Sequence, residues 1–218
     1  MKAVIFDLDD TLFDHTTSAT NAIHSWVSEL GGTPSDELVA QWFVIEKHRF
    51  DSWLNGGLTH QGQRRERLRD FLPLIGQPVP PTDPELDEVF AGYLKHYRGN
   101  WSAFADARPA LDVARSNGWR IGVLTNGSSV QQNSKLETIG LAGLVDVVCT
   151  SEILGVSKPD PTAYLKTCQA LGAEPADTMM IGDNYDLDVA GPRQAGLTAH
   201  HLDRAAGITL ADLVRRTA

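Results

Sequence analysis

Short apolar runs recur along this chain, and each is followed by a stretch of helical period. The runs are Ala3 to Phe6, Arg120 to Leu124, Val145 to Cys149, Met179 to Ile181 and Leu197 to Leu202. They lack the apolar–polar alternation of a strand with one wet face, so they read as strands buried on both sides. Amphipathic stretches lie between the later runs. Ser128 to Ile139 is one; Pro161 to Leu171 is another, with Tyr164, Leu165, Cys168 and Leu171 on one face and Gly172 as its stop. Strand and helix in alternation predict an α/β fold, a Rossmann-like parallel sheet with helices on both faces. Pro192 does not suit a helix interior, so a break or restart is expected there.

The alternation is interrupted once, between about Asp14 and Asn100, where no strand pattern occurs. Ala19, Ala22, Ile23, Trp26, Val27 and Leu30 follow a helical stripe closed by Gly31-Gly32. Leu38, Val39, Trp42 and Phe43 open a second. Leu86, Val89, Phe90, Tyr93, Leu94 and Tyr97 form a third, entered through Thr82-Asp83-Pro84. Such stripes need a partner, and the simplest partner is each other. The prediction is a core domain of residues 1–14 and 101–218 with an α-helical domain, 15–100, inserted after the first strand. The chain returns to the sheet near Trp101 to Arg108, and the turn-rich Gly76 to Pro81 is a joint within the insert.

Composition narrows the chemistry. The chain has 218 residues, 42% hydrophobic and 22% charged, enough for one core and a small inserted domain. The formal net charge of -9 argues against a nucleic-acid partner. It also requires an anionic substrate to meet a locally positive site, which a bound metal ion could supply. Cys149 and Cys168 have no metal-cluster or disulfide spacing and read as small buried apolar groups. The first apolar run ends at Asp7, too short for a signal sequence. No run approaches the roughly 20 apolar residues of a membrane span. The expectation is a cytoplasmic protein with no membrane partner, monomeric or homodimeric.

In an open parallel sheet, ligands bind beyond the carboxyl ends of the strands. Asp7-Leu8-Asp9-Asp10-Thr11 follows the first predicted strand and Thr125-Asn126-Gly127 the second. Ser157-Lys158-Pro159-Asp160-Pro161 precedes a helix, and Gly182-Asp183-Asn184-Tyr185-Asp186-Leu187-Asp188 follows the fourth strand. Asp7, Asp9, Asp183 and Asp188 would crowd carboxylates together, which is costly without a cation. Oxygen-only ligands suit a hard ion, and magnesium is the usual choice beside phosphate. Lys158 supplies a point charge for a phosphate oxygen and Thr125 a hydroxyl. Asn126 and Gly127 can present donors at a helix start. Taken singly, each piece is more often a turn or a cap. Their order at successive strand ends is what argues for chemistry.

At these residues the sequence resembles the haloacid dehalogenase-like hydrolases. Phe6-Asp7-Leu8-Asp9-Asp10-Thr11-Leu12 matches the family's first motif and Leu124-Thr125-Asn126-Gly127 its second. Lys158-Pro159-Asp160-Pro161 matches the third, and Ile181-Gly182-Asp183 with Asp188 the fourth. The resemblance implies that Asp7 is the nucleophile and that Asp9 is the general acid and then the base. Magnesium would sit on the Asp7 carboxylate, the Asp9 backbone carbonyl and the Asp183 carboxylate, with Asp188 as a further ligand or as a partner behind the ligands. Thr125, Asn126 and Lys158 would hold the phosphoryl group, and the insert would be the family's helical cap. The true dehalogenases of the family lack the second aspartate, so Asp9 favours phosphate monoester hydrolysis through a phospho-aspartyl intermediate. The substrate would be a small phosphorylated metabolite such as a nucleotide or sugar phosphate.

The alternatives are a phosphomutase on the same scaffold, similar to β-phosphoglucomutase, and a 2-haloacid dehalogenase. Trp53 to Thr59 with the following arginines is similar to caps of the nucleotidase and sugar-phosphatase branch. Arg64, Arg65, Arg67 and Arg69 read first as a solvated helix face, with an anion-attracting edge as the functional reading. Trp42, Phe43 and Trp53 read first as packing within the insert, with stacking on a base or sugar as the alternative.

Overall fold

The computed structural model describes residues 2–215. Five parallel strands form one sheet: β1 (Ala3–Phe6), β2 (Arg120–Thr125), β3 (Val147–Thr150), β4 (Thr178–Gly182) and β5 (Thr198–His201), in the order β3-β2-β1-β4-β5. Phe6 pairs with Val123 on one side and Ile181 on the other. Strand order reverses direction at β1, so a crevice opens at its carboxyl end.

The chain divides into two compact units, residues 1–15 with 102–218 and residues 16–101. α1 (His15–Glu29), α2 (Asp36–Leu54), α3 (His60–Phe71) and α4 (Asp83–Gly99) build the second unit. Its centre is aromatic. Trp42 lies 4.5 Å from Tyr93 and 5.1 Å from Phe71 between ring centroids, and Trp26 stacks on Phe71. Trp42 is therefore packing within the unit, while Phe43 and Trp53 are half-buried. The arginines of α3 are largely neutralised inside the unit. Arg65 pairs with Asp83 and Asp87, Arg69 with Glu66 and Asp83, and Arg67 with Glu46, while Arg64 lies over the Phe90 ring. Thr82 caps α4 as its sequence predicts: its N–H and hydroxyl both reach Glu85 Oε2.

The first unit continues with α5 (Ala107–Ser116), α6 (Ser129–Thr138), α7 (Ser151–Leu154), α8 (Pro161–Leu171), α9 (Gly191–Gln194) and α10 (Leu210–Arg215). Ala163, Tyr164, Cys168 and Leu171 of α8 cover one sheet face, against Ile5, Leu124 and Met180. The alternate residues Val4, Phe6, Ile121, Val123 and Ile181 are equally buried, so the opposite face is covered too. Both cysteines are buried and free.

Two sequence expectations shift, and a third is met. β3 begins at Val147 rather than Val145, because Asp146 turns its carboxylate back to accept from the Ile121 N–H at 2.7 Å. The return of the chain near Trp101 to Arg108 is only an isolated bridge between Phe13 and Ala103, followed by α5. The helix after β4 is a π-helix, Tyr185–Ala190, that gives way to α9 with Pro192 in its first turn. This is the restart that the proline requires. No helix among the described residues is long and apolar enough to cross a membrane.

Candidate active site

Asp7 leaves β1 with its N–H still bonded to the Ile181 carbonyl, so the strand's geometry carries the side chain into the crevice. The chain then folds back tightly: Thr11, Leu12 and Phe13 all direct their N–H groups to the Leu8 carbonyl, and Asp10 adopts a positive φ of 57°. Such a conformation in a non-glycine residue persists only where its surroundings enforce it. Arg204 does so here. It donates to the Thr11 carbonyl at 2.6 Å, pairs with Asp106 and lies over Phe104. The Thr11 hydroxyl accepts from the Asp183 N–H and bonds its carboxylate, tying the turn to the end of β4.

Lys158 stands between two acids. Its Nζ donates to Asp7 Oδ1 at 2.6 Å and to Asp188 Oδ1 at 2.7 Å, and all three side chains are buried. Asp188 is held from behind, since its other oxygen accepts from the Asn184 N–H. One ligand oxygen each from Asp7, Asp183 and Asp188 lie within 4.8 Å of one another. One ammonium cannot balance three carboxylates. Burial first, then Asp188 and Asp183, hold the Asp7 carboxyl well above its usual range despite Lys158. Asp183 is pushed up to about 6 by burial and by Asp188 and Asp10. Burial opposes the Lys158 charge, but Asp188 and Asp7 override it and raise the group.

Asp9 points elsewhere. Its carboxylate accepts from Gln132 Nε2 at 2.9 Å and from Lys135 Nζ at 2.5 Å, both on α6. Burial would raise this carboxyl, yet Lys135 and then His15 bring it below its ordinary value. The Asp9 side chain therefore does not join the acidic trio.

The other expected phosphate-site residues divide. Thr125 is buried at the end of β2 and its hydroxyl accepts from Gln132. The Asn126 amide clasps the Lys158 backbone, donating to its carbonyl and accepting from its N–H. Asn126 thus anchors the lysine, and its amide nitrogen keeps a second hydrogen beyond the one given to Lys158. The Gly127 N–H, expected from the sequence at the phosphate site, donates here to the Ser151 hydroxyl at 3.0 Å. Sequence reading missed Gln132, Lys135, Ser151 and Arg204, and it named Thr11 in the first cluster without giving it a role. For the first two a signal existed: polar residues three apart, on the helix that opens after Thr125-Asn126-Gly127.

Comparison with known proteins finds relatives over nearly the whole chain. A family model described as haloacid dehalogenase-like hydrolase matches residues 1–196. A phosphatase of Mycobacterium tuberculosis (strain CDC 1551 / Oshkosh) is 34% identical over 210 residues, covering 94% of this chain and 88% of its own. A glyceraldehyde 3-phosphate phosphatase of Methanopyrus kandleri is 28% identical, covering 94% and 84%. Among solved structures, a 2-haloacid dehalogenase from Pseudomonas syringae superposes with a TM-score of 0.66 at 26% identity, covering all of both chains.

Proposed function

The chain belongs to the haloacid dehalogenase-like hydrolase family, and from that premise we propose that it is a magnesium-dependent phosphatase of a small phosphorylated metabolite, working through a phospho-aspartyl intermediate on Asp7. The observation that carries this reading is the division of labour between the two aspartates. Asp7 lies against Lys158 in the acidic trio, whereas Asp9 is held two residues away by α6, outside the trio. A nucleophile and a proton carrier need such separate surroundings. The phosphatase names of the two relatives agree with it.

In the first step, which Asp9 must enter protonated, an Asp7 oxygen bonds to phosphorus as the bond to the leaving oxygen breaks, and Asp9 gives its proton to that oxygen and is left as the carboxylate. In the second, Asp9 takes a proton from water, the water oxygen bonds to phosphorus, and the aspartyl–phosphorus bond breaks. Phosphate leaves and Asp7 is restored. Lys158 offsets charge on Asp7 and the phosphoryl oxygens, and the Thr125 hydroxyl and Asn126 N–H position those oxygens. The oxygen-only trio fits a hard divalent cation, which the Asp7 and Asp183 carboxylates would hold together with the Asp9 carbonyl, with Asp188 as a further ligand or as the acid that steadies Lys158. Its contribution is to neutralise carboxylate and phosphoryl charge. Residues 1–14 and 101–218 are read as the catalytic core and 15–100 as the inserted domain that selects the substrate.

The Pseudomonas syringae structure keeps dehalogenation as a second reading, against which Asp9 argues. A phosphate-release screen over nucleotides, sugar phosphates and phosphoglycolate, with magnesium and with chelator, tests the proposal. Release that needs magnesium is expected. Transfer of the phosphoryl group back to product without release would favour a phosphomutase. Halide release from 2-haloacids, with no phosphate from any ester, would overturn the reading.

A further inference from the structure

Gln132 and Lys135 lie three residues apart on α6 and are each only 2% exposed. A helix facing a sheet would ordinarily bury apolar side chains there. Burying a lysine and an amide costs free energy unless each is fully partnered, and a buried ion pair is poor evidence of a stabilising role. Their partners are therefore informative. Lys135 Nζ reaches Asp9 Oδ1 and also lies 4.8 Å from the centre of the Phe13 ring. Gln132 Nε2 stands 2.9 Å from Asp9 Oδ2 and 2.6 Å from Thr125 Oγ1. The amide is seated closely against the Thr125-to-Gly127 turn: a Cβ on Gly127 would come within 3.1 Å of Gln132 Cδ.

Hydrogen-bond chemistry sets the direction of this chain of contacts. An ionised carboxylate only accepts, so the Gln132 atom facing Asp9 is the amide nitrogen, which carries two hydrogens. One goes to Asp9 and the other to Thr125. The Thr125 oxygen then accepts from Gln132, and its own hydrogen must point away from Gln132. We propose that Gln132 and Lys135 are positioning residues: Gln132 ties the Asp9 carboxylate to the Thr125 hydroxyl and turns the Thr125 hydrogen toward a phosphoryl oxygen, while Lys135 holds the second Asp9 oxygen for proton transfer to the leaving group. The inference rests on the phosphatase reading above. It adds two residues outside the four motif clusters and makes the proton carrier and the phosphate donor one connected unit.

A double-mutant cycle tests it, using kcat/KM for p-nitrophenyl phosphate with magnesium. Gln132→Met should lose about tenfold in the wild-type background, the size expected for one misdirected hydrogen bond to a charged group. The loss should shrink to less than about twofold in Thr125→Val, where no hydroxyl remains to orient, and return in Thr125→Ser. Equal losses in all three backgrounds would overturn the Gln132 role, because a general structural defect does not depend on the Thr125 hydroxyl. Lys135→Met should lose more with phenyl phosphate than with p-nitrophenyl phosphate, whose leaving group needs little protonation, and Lys135→Arg should recover most of the difference. Equal losses for both esters would overturn the Lys135 role. Should Gln132→Met fail to fold by thermal melting, Gln132→Asn, which keeps the amide but shortens its reach, carries the same cycle. If neither folds, Gln132 holds the fold and its positioning role is refuted. Asp7→Asn is measured alongside. Near-wild-type hydrolysis by that variant would bring down the phosphatase reading itself, whereas an inactive Asp7→Asn with an additive cycle would bring down only the relay.

Discussion

At the end of β1 two aspartates meet different neighbours. Asp7 shares a buried space with Asp183 and Asp188 and a single ammonium, so its carboxyl is held high. Asp9 faces Lys135 and is held low. Removing them should therefore fail in different ways. Asp7→Asn has no attacking carboxylate, and acid-quenched protein should carry no phosphoryl group by mass spectrometry. Asp9→Asn keeps the nucleophile, so with p-nitrophenyl phosphate a phospho-enzyme should accumulate on Asp7 as water attack slows. A phosphoryl group mapped to a serine, a histidine or Asp9 would refute the assignment. Lys158 is judged by rate. Its charge touches both Asp7 and Asp188, so Lys158→Ala should cost roughly 100-fold or more in phosphate release, as for loss of one preorganised charge. A loss under about threefold would place it outside the chemistry.

At the scale of elements, the junction of β4 with the π-helix is the tightest constraint on the site. Asp188 reaches Lys158 only because the helix start brings its carboxylate over Gly182. A Cβ on Gly182 would stand 2.3 Å from Asp188 Oδ2 and 2.4 Å from its Cγ. The polypeptide cannot accommodate that overlap, so Gly182→Ala should swing Asp188 off Lys158. A loss of activity of at least about tenfold is expected, in line with loss of one partner of a buried charge pair. Steady-state phosphate release checks it, with melting to confirm folding, and unchanged kinetics in a folded variant would contradict the packing. Tyr164 reinforces the same junction from α8, donating its hydroxyl to the Leu187 carbonyl at 2.5 Å.

At the scale of the whole molecule, a chain of net charge -9 concentrates several carboxylates in one buried place. Asp183 has a folded value of about 6 against an ordinary value of 3.8. A raised carboxyl contributes stability below 3.8 and loses it as the pH rises through about 6, so ionising Asp183 weakens the metal-free fold. A cation must displace that proton below about 6 and meets an ionised ligand above it. Magnesium should therefore raise the melting temperature clearly at about pH 8 and much less at about pH 5. Melting curves with magnesium and with chelator at the two pH values check this. An equal shift at both would remove the carboxylates as the binding site.

Much of the architecture follows from the sequence alone. Periodicity is a local property of the backbone: a buried parallel strand needs a short apolar run and a covering helix needs a stripe, and neither depends on distant residues. So the strand runs, the helical insert, the Thr82 cap and the restart at Pro192 could all be read directly, as could the order of the polar clusters at the strand ends. Tertiary structure alone decided which strands are neighbours and which side chains meet. Lys158 and Asp7 are 151 positions apart, and Lys135 and Asp9 are 126 apart. No local pattern records such pairings. The strand order β3-β2-β1-β4-β5 makes them by bringing the ends of β1, β2 and β4 side by side. For the same reason no local pattern records that the Asn126 amide clasps Lys158 or that the Gly127 N–H meets Ser151. A donor's type is written in its residue, but its partner is set by whatever acceptor the fold brings within about 3 Å.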